Sequence, residues 1–104
     1  MFLDFLKDIN NYEQRKIARI SPEDNNGIGV STCYSSDEGY ETALLCATDR
    51  GVIPVERYLT KEEAILGHAK WVEFAKNGNN KKVIKLSWTE FSADLNKEVI
   101  LKAL

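Results

Sequence analysis

Thr60-Lys61-Glu62-Glu63-Ala64-Ile65-Leu66-Gly67-His68-Ala69-Lys70-Trp71-Val72-Glu73-Phe74-Ala75-Lys76, closed by Asn77-Gly78, is the stretch on which the reading of the fold turns. Thr60 and Glu63 stand at the S/T-x-x-E spacing of a capping box, in which the hydroxyl accepts from the Glu63 amide and the Glu63 carboxylate returns the bond. Asn77-Gly78 is a C-terminal stop, so the spacing predicts one helix over about 61–76. A period of roughly 3.6 residues gathers Ala64, Ile65, His68, Ala69, Trp71, Val72 and Ala75 on one side as the core stripe. Leu66 and Phe74 fall outside that stripe, with Gly67 beside Phe74, and they are expected to face a second contact.

Working back from the helix, Val52 to Leu59 places Ile53, Val55 and Leu59 on one face of a strand. Pro54 cannot donate to a ladder, which predicts either an edge position or a strand that begins beyond the proline. Tyr40 to Ala47 has apolar residues in both alternating sets and reads as a central strand. Ile28, Val30, Thr32 and Tyr34 alternate with small or polar residues up to Ser35, giving another strand. Ser21 to Gly27, with its Pro22 and its Asn26-Gly27 pair, is a turn signal that makes a hairpin with the weak strand pattern of Glu13 to Ile20. Met1 to Ile9 spaces Phe2, Leu3, Phe5, Leu6 and Ile9 as a short N-terminal helix. Beyond the main helix, Val83 to Trp88 reads as a last strand, and Thr89 to Leu104, carrying Phe91, Leu95, Val99, Ile100 and Leu104, as a C-terminal helix. The fold class expected is α+β: a small antiparallel meander of three to five strands packed against one main helix, in a single domain spanning 1–104.

Composition fits this size. Apolar residues make up 43% of the 104 residues, enough for a core without metals or disulfides. Fourteen Lys and Arg face 16 Asp and Glu, with a pI near 5.4, whereas a domain built to neutralise phosphates carries a basic excess. The N-terminus lacks a basic region ahead of its apolar residues, and no apolar run nears the roughly 18 to 20 residues of a membrane span. The cytoplasm of whatever makes the protein is therefore the expected compartment, and Cys33 and Cys46, far apart and without a CxxC spacing, are expected as free thiols.

Candidate chemistry is sparse. His68 is the single histidine; a nucleophilic pair with Cys33 or Cys46 is one reading, and a packed histidine bonded to the sheet is the other. Glu62 and Glu63 serve the helix start, while Glu23, Asp24, Asp37 and Glu38 lie in turns, so paired catalytic acids are not indicated. One His and two separated Cys are poor material for a metal, and the acidic turn at 35–39 lacks the alternating ligands of a calcium loop. Neither GxGxxG nor a Walker pattern is present, so no cofactor is expected. Arg15, Lys16 and Arg19 near Tyr12, and Lys81, Lys82 and Lys85 near Trp88, read either as a nucleic-acid patch or as solvated edge strands.

Asn11-Tyr12-Glu13-x-Arg15-Lys16, Thr32-Cys33-Tyr34, Tyr40-Glu41-Thr42-Ala43, Val55-Glu56-Arg57-Tyr58 and Lys61-Glu62-Glu63-Ala64-Ile65-x-Gly67-His68-x-x-Trp71-Val72 together resemble a family of short phage and prophage proteins. The resemblance covers most of residues 11–76 and ends near residue 78. It implies an origin and a compartment, the cytoplasm of a bacterial host, but no reaction. Small phage proteins without catalytic motifs act by binding, which implies a non-enzymatic accessory protein that binds a host or phage protein, such as a host defence enzyme it inhibits. The partner surface expected is Leu66, Gly67 and Phe74 on the helix, with Arg57 and Tyr58 at the sheet edge as a second surface. Nucleic-acid binding is the alternative function, an enzyme using His68 the least favoured, and self-association through a strand edge fits any of them.

Overall fold

The computed structural model describes residues 16–35, 39–48, 51–86 and 96–104. Four antiparallel strands follow one another as a meander: β1 (Lys16–Ile20), β2 (Gly29–Ser35), β3 (Gly39–Leu45) and β4 (Val52–Tyr58). The helix α1 (Lys61–Lys76) packs on this sheet, and β5 (Lys82–Lys85) pairs with β6 (Lys97–Ile100) as a separate two-stranded ribbon. The fold is α+β, with β3 inside the sheet and the proline-bearing β4 at its edge. That edge is partly covered, because the Leu86 amide donates to the Pro54 carbonyl at 2.9 Å. The expected N-terminal helix lies outside the described residues.

Thr60 caps α1 as its spacing demands: its Oγ1 accepts from the Glu63 amide at 3.2 Å. At the other end, the turn after β1 supplies donors to carbonyls of the last two helical turns. Asn25 Nδ2 donates to the Val72 carbonyl and Asn26 Nδ2 to the Lys76 carbonyl, at 3.4 and 2.9 Å. Asn26 and Gly27 both take positive φ, 58° and 91°, as an Asn-Gly turn allows.

The buried face of α1 is rotated from the stripe read in the sequence. Ala64, Gly67 and Ala75 are buried and His68, Trp71 and Val72 half-buried, whereas Ile65 and Ala69 face solvent. The reason lies at Gly67, where a Cβ would collide with the ring of Tyr58; the missing side chain lets the sheet's largest residue press against the helix. Leu59, expected to share the inner face of β4, is 92% exposed in the loop before the helix.

The C-terminal segment differs most from expectation. Residues 97–100 form a strand, and Leu101 to Leu104 continue extended. Val99, Leu101 and Ala103, at a period of two, pack on the core, with Leu101 fully buried. Backbone pairing then pins the tail: Leu101 N–H to the Lys81 carbonyl, Ala47 N–H to that of Lys102, and Leu104 N–H to that of Gly27. The rest of the expected terminal helix, through residue 95, lies outside the described residues.

Candidate functional site

The interface between α1 and the sheet has an apolar end and a polar end. Ile28, Val30, Leu44, Ile53, Ala75, Val83 and Leu101 make the apolar end. A register shift makes the polar one. Leu44 faces Ile53 and Ala43 faces Pro54, but Thr42 faces Glu56, so Val55 is an extra residue in β4. A bulge of this kind switches which residues point to which face. Glu56 and Tyr58 therefore turn toward α1, and Arg57 turns away.

Four side chains then form a continuous chain of hydrogen bonds. Tyr58 OH donates to Thr42 Oγ1 at 3.1 Å, Thr42 Oγ1 lies 2.6 Å from Thr32 Oγ1, and Thr32 Oγ1 lies 2.8 Å from His68 Nδ1. Thr32, Thr42 and Tyr58 are buried and His68 is half-buried. Burial pushes the His68 pKa below its ordinary value, favouring the neutral ring. Burial also raises the Tyr58 phenol well above its ordinary range, so it stays a hydroxyl.

Glu56, on the same face of β4, sits beside a pocket on the flank of the helix. Its Oε1 accepts from Lys70 Nζ at 2.7 Å and from Trp71 Nε1 at 2.9 Å. Partial burial alone would raise the Glu56 pKa, but the hydrogen bonds from Lys70 and Trp71 and the charge of Lys70 outweigh it and hold the carboxyl low. Lys70, Trp71 and Phe74 line an open, apolar pocket of about 250 Å3. The Trp71 and Phe74 rings meet nearly edge to face, 5.2 Å between centroids. Lys70 Nζ stands 5.3 Å from the Trp71 ring centre and Lys81 Nζ 5.1 Å from that of Phe74.

Of the expected partner surface, Phe74 lines this pocket and Leu66 is 73% exposed on the outer face of α1. Gly67 and Tyr58 are buried against each other and present no surface, which corrects their placement there. Arg57 Nε donates to Glu41 at 2.9 Å on the sheet face away from the helix. The basic residues divide: Lys16 and Arg19 sit on β1 at one edge of the sheet, and Lys81, Lys82 and Lys85 at β5 beyond the opposite edge. Lys82 pairs with Glu98 at 3.5 Å, and Arg15 lies outside the described residues.

The histidine's partner is Thr32, not a cysteine. Cys33, next to Thr32 in the same strand, points to the opposite sheet face, and buried Cys46 directs its thiol to the Thr48 carbonyl. Among the described residues no group of three or more His, Cys, Asp or Glu could hold a metal, and no helix is long and apolar enough to cross a membrane. Sequence reasoning missed Glu56, Lys70 and Trp71 as one unit. The signal that could have found them is Pro54, since a proline inside a strand pattern is also a bulge signal. No family model, curated protein or solved structure matches the chain.

Proposed function

We propose that this chain acts without catalysis, by binding another protein, and that the Trp71–Phe74 pocket takes one apolar side chain of that partner. The observation that carries the reading is the pocket itself, apolar, bounded by two aromatic rings and about 250 Å3 in volume. Pockets for small-molecule substrates run roughly 300–1,000 Å3 and enclose most of the ligand; an open pocket of this size suits a single anchoring side chain. Lys81 makes no ion pair among the described residues, so carboxylates beside the anchor complement this rim. Leu66, 73% exposed and one turn before Lys70, adds apolar area on the outer face of α1.

The resemblance to short phage and prophage proteins extends the proposal to an accessory role in a bacterial cytoplasm, with a host defence enzyme as the class of target. The test is affinity capture from bacterial lysate with tagged wild type and Phe74→Ala, at moderate and high salt, after circular dichroism shows both folded. A stoichiometric protein held at high salt by wild type and lost with Phe74→Ala is the expected result. Equal recovery by both, or nucleic acid recovered only at low salt, would overturn it.

A further inference from the structure

Two Asn-Gly pairs, Asn26-Gly27 and Asn77-Gly78, sit in opposite circumstances in this fold. Asparagine is a labile residue, and most so before glycine, whose backbone nitrogen is unshielded by a Cβ and free to attack the asparagine carboxamide. At Asn26 the fold restrains both groups. The Asn26 Nδ2 donates to the Lys76 carbonyl at 2.9 Å, and the Gly27 amide donates to the Pro22 carbonyl at 2.8 Å. Gly27 is also wedged against Ala103, and its carbonyl accepts from the Leu104 amide at 2.9 Å. At Asn77 only the attacking nitrogen is held, by the Gly78 amide donating to the Ala75 carbonyl at 3.0 Å. The Asn77 side chain is exposed and makes no hydrogen bond among the described residues. Its backbone amide reaches the Phe74 carbonyl at 3.4 Å, a long bond at the end of the helix, where last turns fray. Asn25, Asn79, Asn80 and Asn96 precede Asn or Lys, so Asn77 alone among the described asparagines combines a following glycine with a free carboxamide.

We propose that Asn77-Gly78 is a site of spontaneous deamidation, and that the fold protects Asn26-Gly27 from the same reaction. Fraying of the last helical turn releases the Gly78 nitrogen from Ala75 and lets the free carboxamide swing onto it. The nitrogen gives its proton to solvent and bonds to Asn77 Cγ; the Cγ–Nδ2 bond breaks, ammonia leaves, and a succinimide ring remains. Water then opens the ring at either carbonyl, leaving aspartate or isoaspartate at position 77. The sum is asparagine plus water giving acid plus ammonia, with no oxidant or cofactor. The new carboxylate stands at the C-terminal end of α1, where the helix dipole disfavours negative charge. Isoaspartate also adds a backbone methylene beside Gly78, which is buried against Ala75 and Ile28, so the turn must shift. That turn pins the tail: Asn79 Oδ1 accepts from the Ala103 amide at 3.0 Å, and the Asn80 amide donates to the Leu101 carbonyl at 2.7 Å. The modification therefore loosens the end of α1 and the tail together, whether or not the pocket binds a partner.

The test follows the full chain at mildly alkaline pH, folded and, in parallel, unfolded in urea. Peptides are mapped by mass spectrometry at intervals, and enzymatic methylation marks isoaspartate. In the folded chain Asn77 should convert several-fold faster than Asn26; in urea, where only the shared dipeptide matters, the two should convert at similar rates. Gly78→Ala should slow conversion at position 77 and leave position 26 unchanged, and the folded-against-urea comparison of the parent decides the matter should that variant not fold. Chain aged until position 77 is converted should melt at a lower temperature than fresh chain, with faster amide exchange at Leu101. Asn26 converting as fast as Asn77 in the folded chain, or Asn77 staying intact when folded while it converts in urea, overturns the proposal. An aged chain that melts and exchanges like a fresh one overturns the effect assigned to the modification.

Discussion

The two ends of the α1–sheet interface use the same geometry for different ends. At the apolar end, Val30, Leu44 and Ile53 meet Ala75 with no polar side chain between them, and fit is the whole of the interaction. At the other end Thr32, Thr42 and Tyr58 meet His68 in a chain of hydrogen bonds, and beside it Glu56 holds the Trp71 indole at the wall of a surface pocket. Replacing Thr32 and Thr42 with valine would keep the shape but leave the Tyr58 hydroxyl and His68 Nδ1 without these partners, so the hydroxyls serve the hydrogen bonds rather than the packing. The difference teaches that one end serves stability and the other sets the position of surface side chains.

Leu44→Ala should break the apolar end with the largest effect. A fully buried leucine truncated to alanine costs about 2–5 kcal/mol, read as a lower denaturation midpoint, with Trp71 emission unchanged in the folded protein. A shift in Trp71 emission of the folded variant would show that the two ends are not separable.

Gly67→Ala comes next. The added Cβ drives into the Tyr58 ring, an overpacking worth about 1–3 kcal/mol, offset by about 1 kcal/mol from alanine's better helix propensity. Unlike Leu44→Ala it should change Trp71 emission, because displacing Tyr58 disturbs Glu56. Unchanged stability and emission would mean that the Tyr58 ring moves aside freely.

Acid sharpens the comparison further. The folded-state pKa of His68 is lowered, so between the unfolded value near 6.5 and the folded value the unfolded chain binds more protons, and stability falls as pH falls through that window. The Glu56 carboxyl is also lowered, but its contribution is present above about 4.5 and lost only as pH drops through its folded value. Thermal melts of His68→Gln should therefore lose the upper of these two windows and keep the lower. Identical pH profiles for variant and parent would remove His68 from the stability of the polar end.

Lys81→Glu is the smallest change to the fold. The side chain is exposed, and a surface substitution of this kind stays within about 0.5 kcal/mol of neutral, yet it reverses the charge over Phe74. The melting temperature should hold while capture of an acidic partner segment falls at moderate salt. Undiminished capture would assign the partner's charge no role.

Much of the fold was legible because its signals are local. Thr60, Glu63 and Asn77-Gly78 bound the helix by capping chemistry, Asn26-Gly27 marks a turn that needs positive φ, and Ile28 to Tyr34 alternates cleanly. The rotated stripe was not legible, because Ile65 is more apolar than Gly67 and only the Tyr58 ring across the interface reverses their order. The tail misled for a similar reason: Val99, Ile100 and Leu104 fit a helical spacing, while Val99, Leu101 and Ala103 fit a strand equally well, and the choice is made by Lys81, Ala47 and Gly27, distant in sequence. Phe74, read as lying outside the core stripe, lines the pocket, but Trp71 was assigned to the core because its indole is tied to Glu56 only through the β4 bulge.

The most direct test of the binding reading places a photoreactive phenylalanine analogue at Lys81, on the pocket rim, and in a separate variant at Glu62, on the exposed first turn of α1. Both are irradiated in the bacterial cytoplasm. A discrete protein adduct from position 81, lost when Phe74→Ala is added and absent from position 62, is the expected result. Adducts of equal yield from both positions, or none from position 81, would contradict the assignment of the Trp71–Phe74 pocket as the partner site.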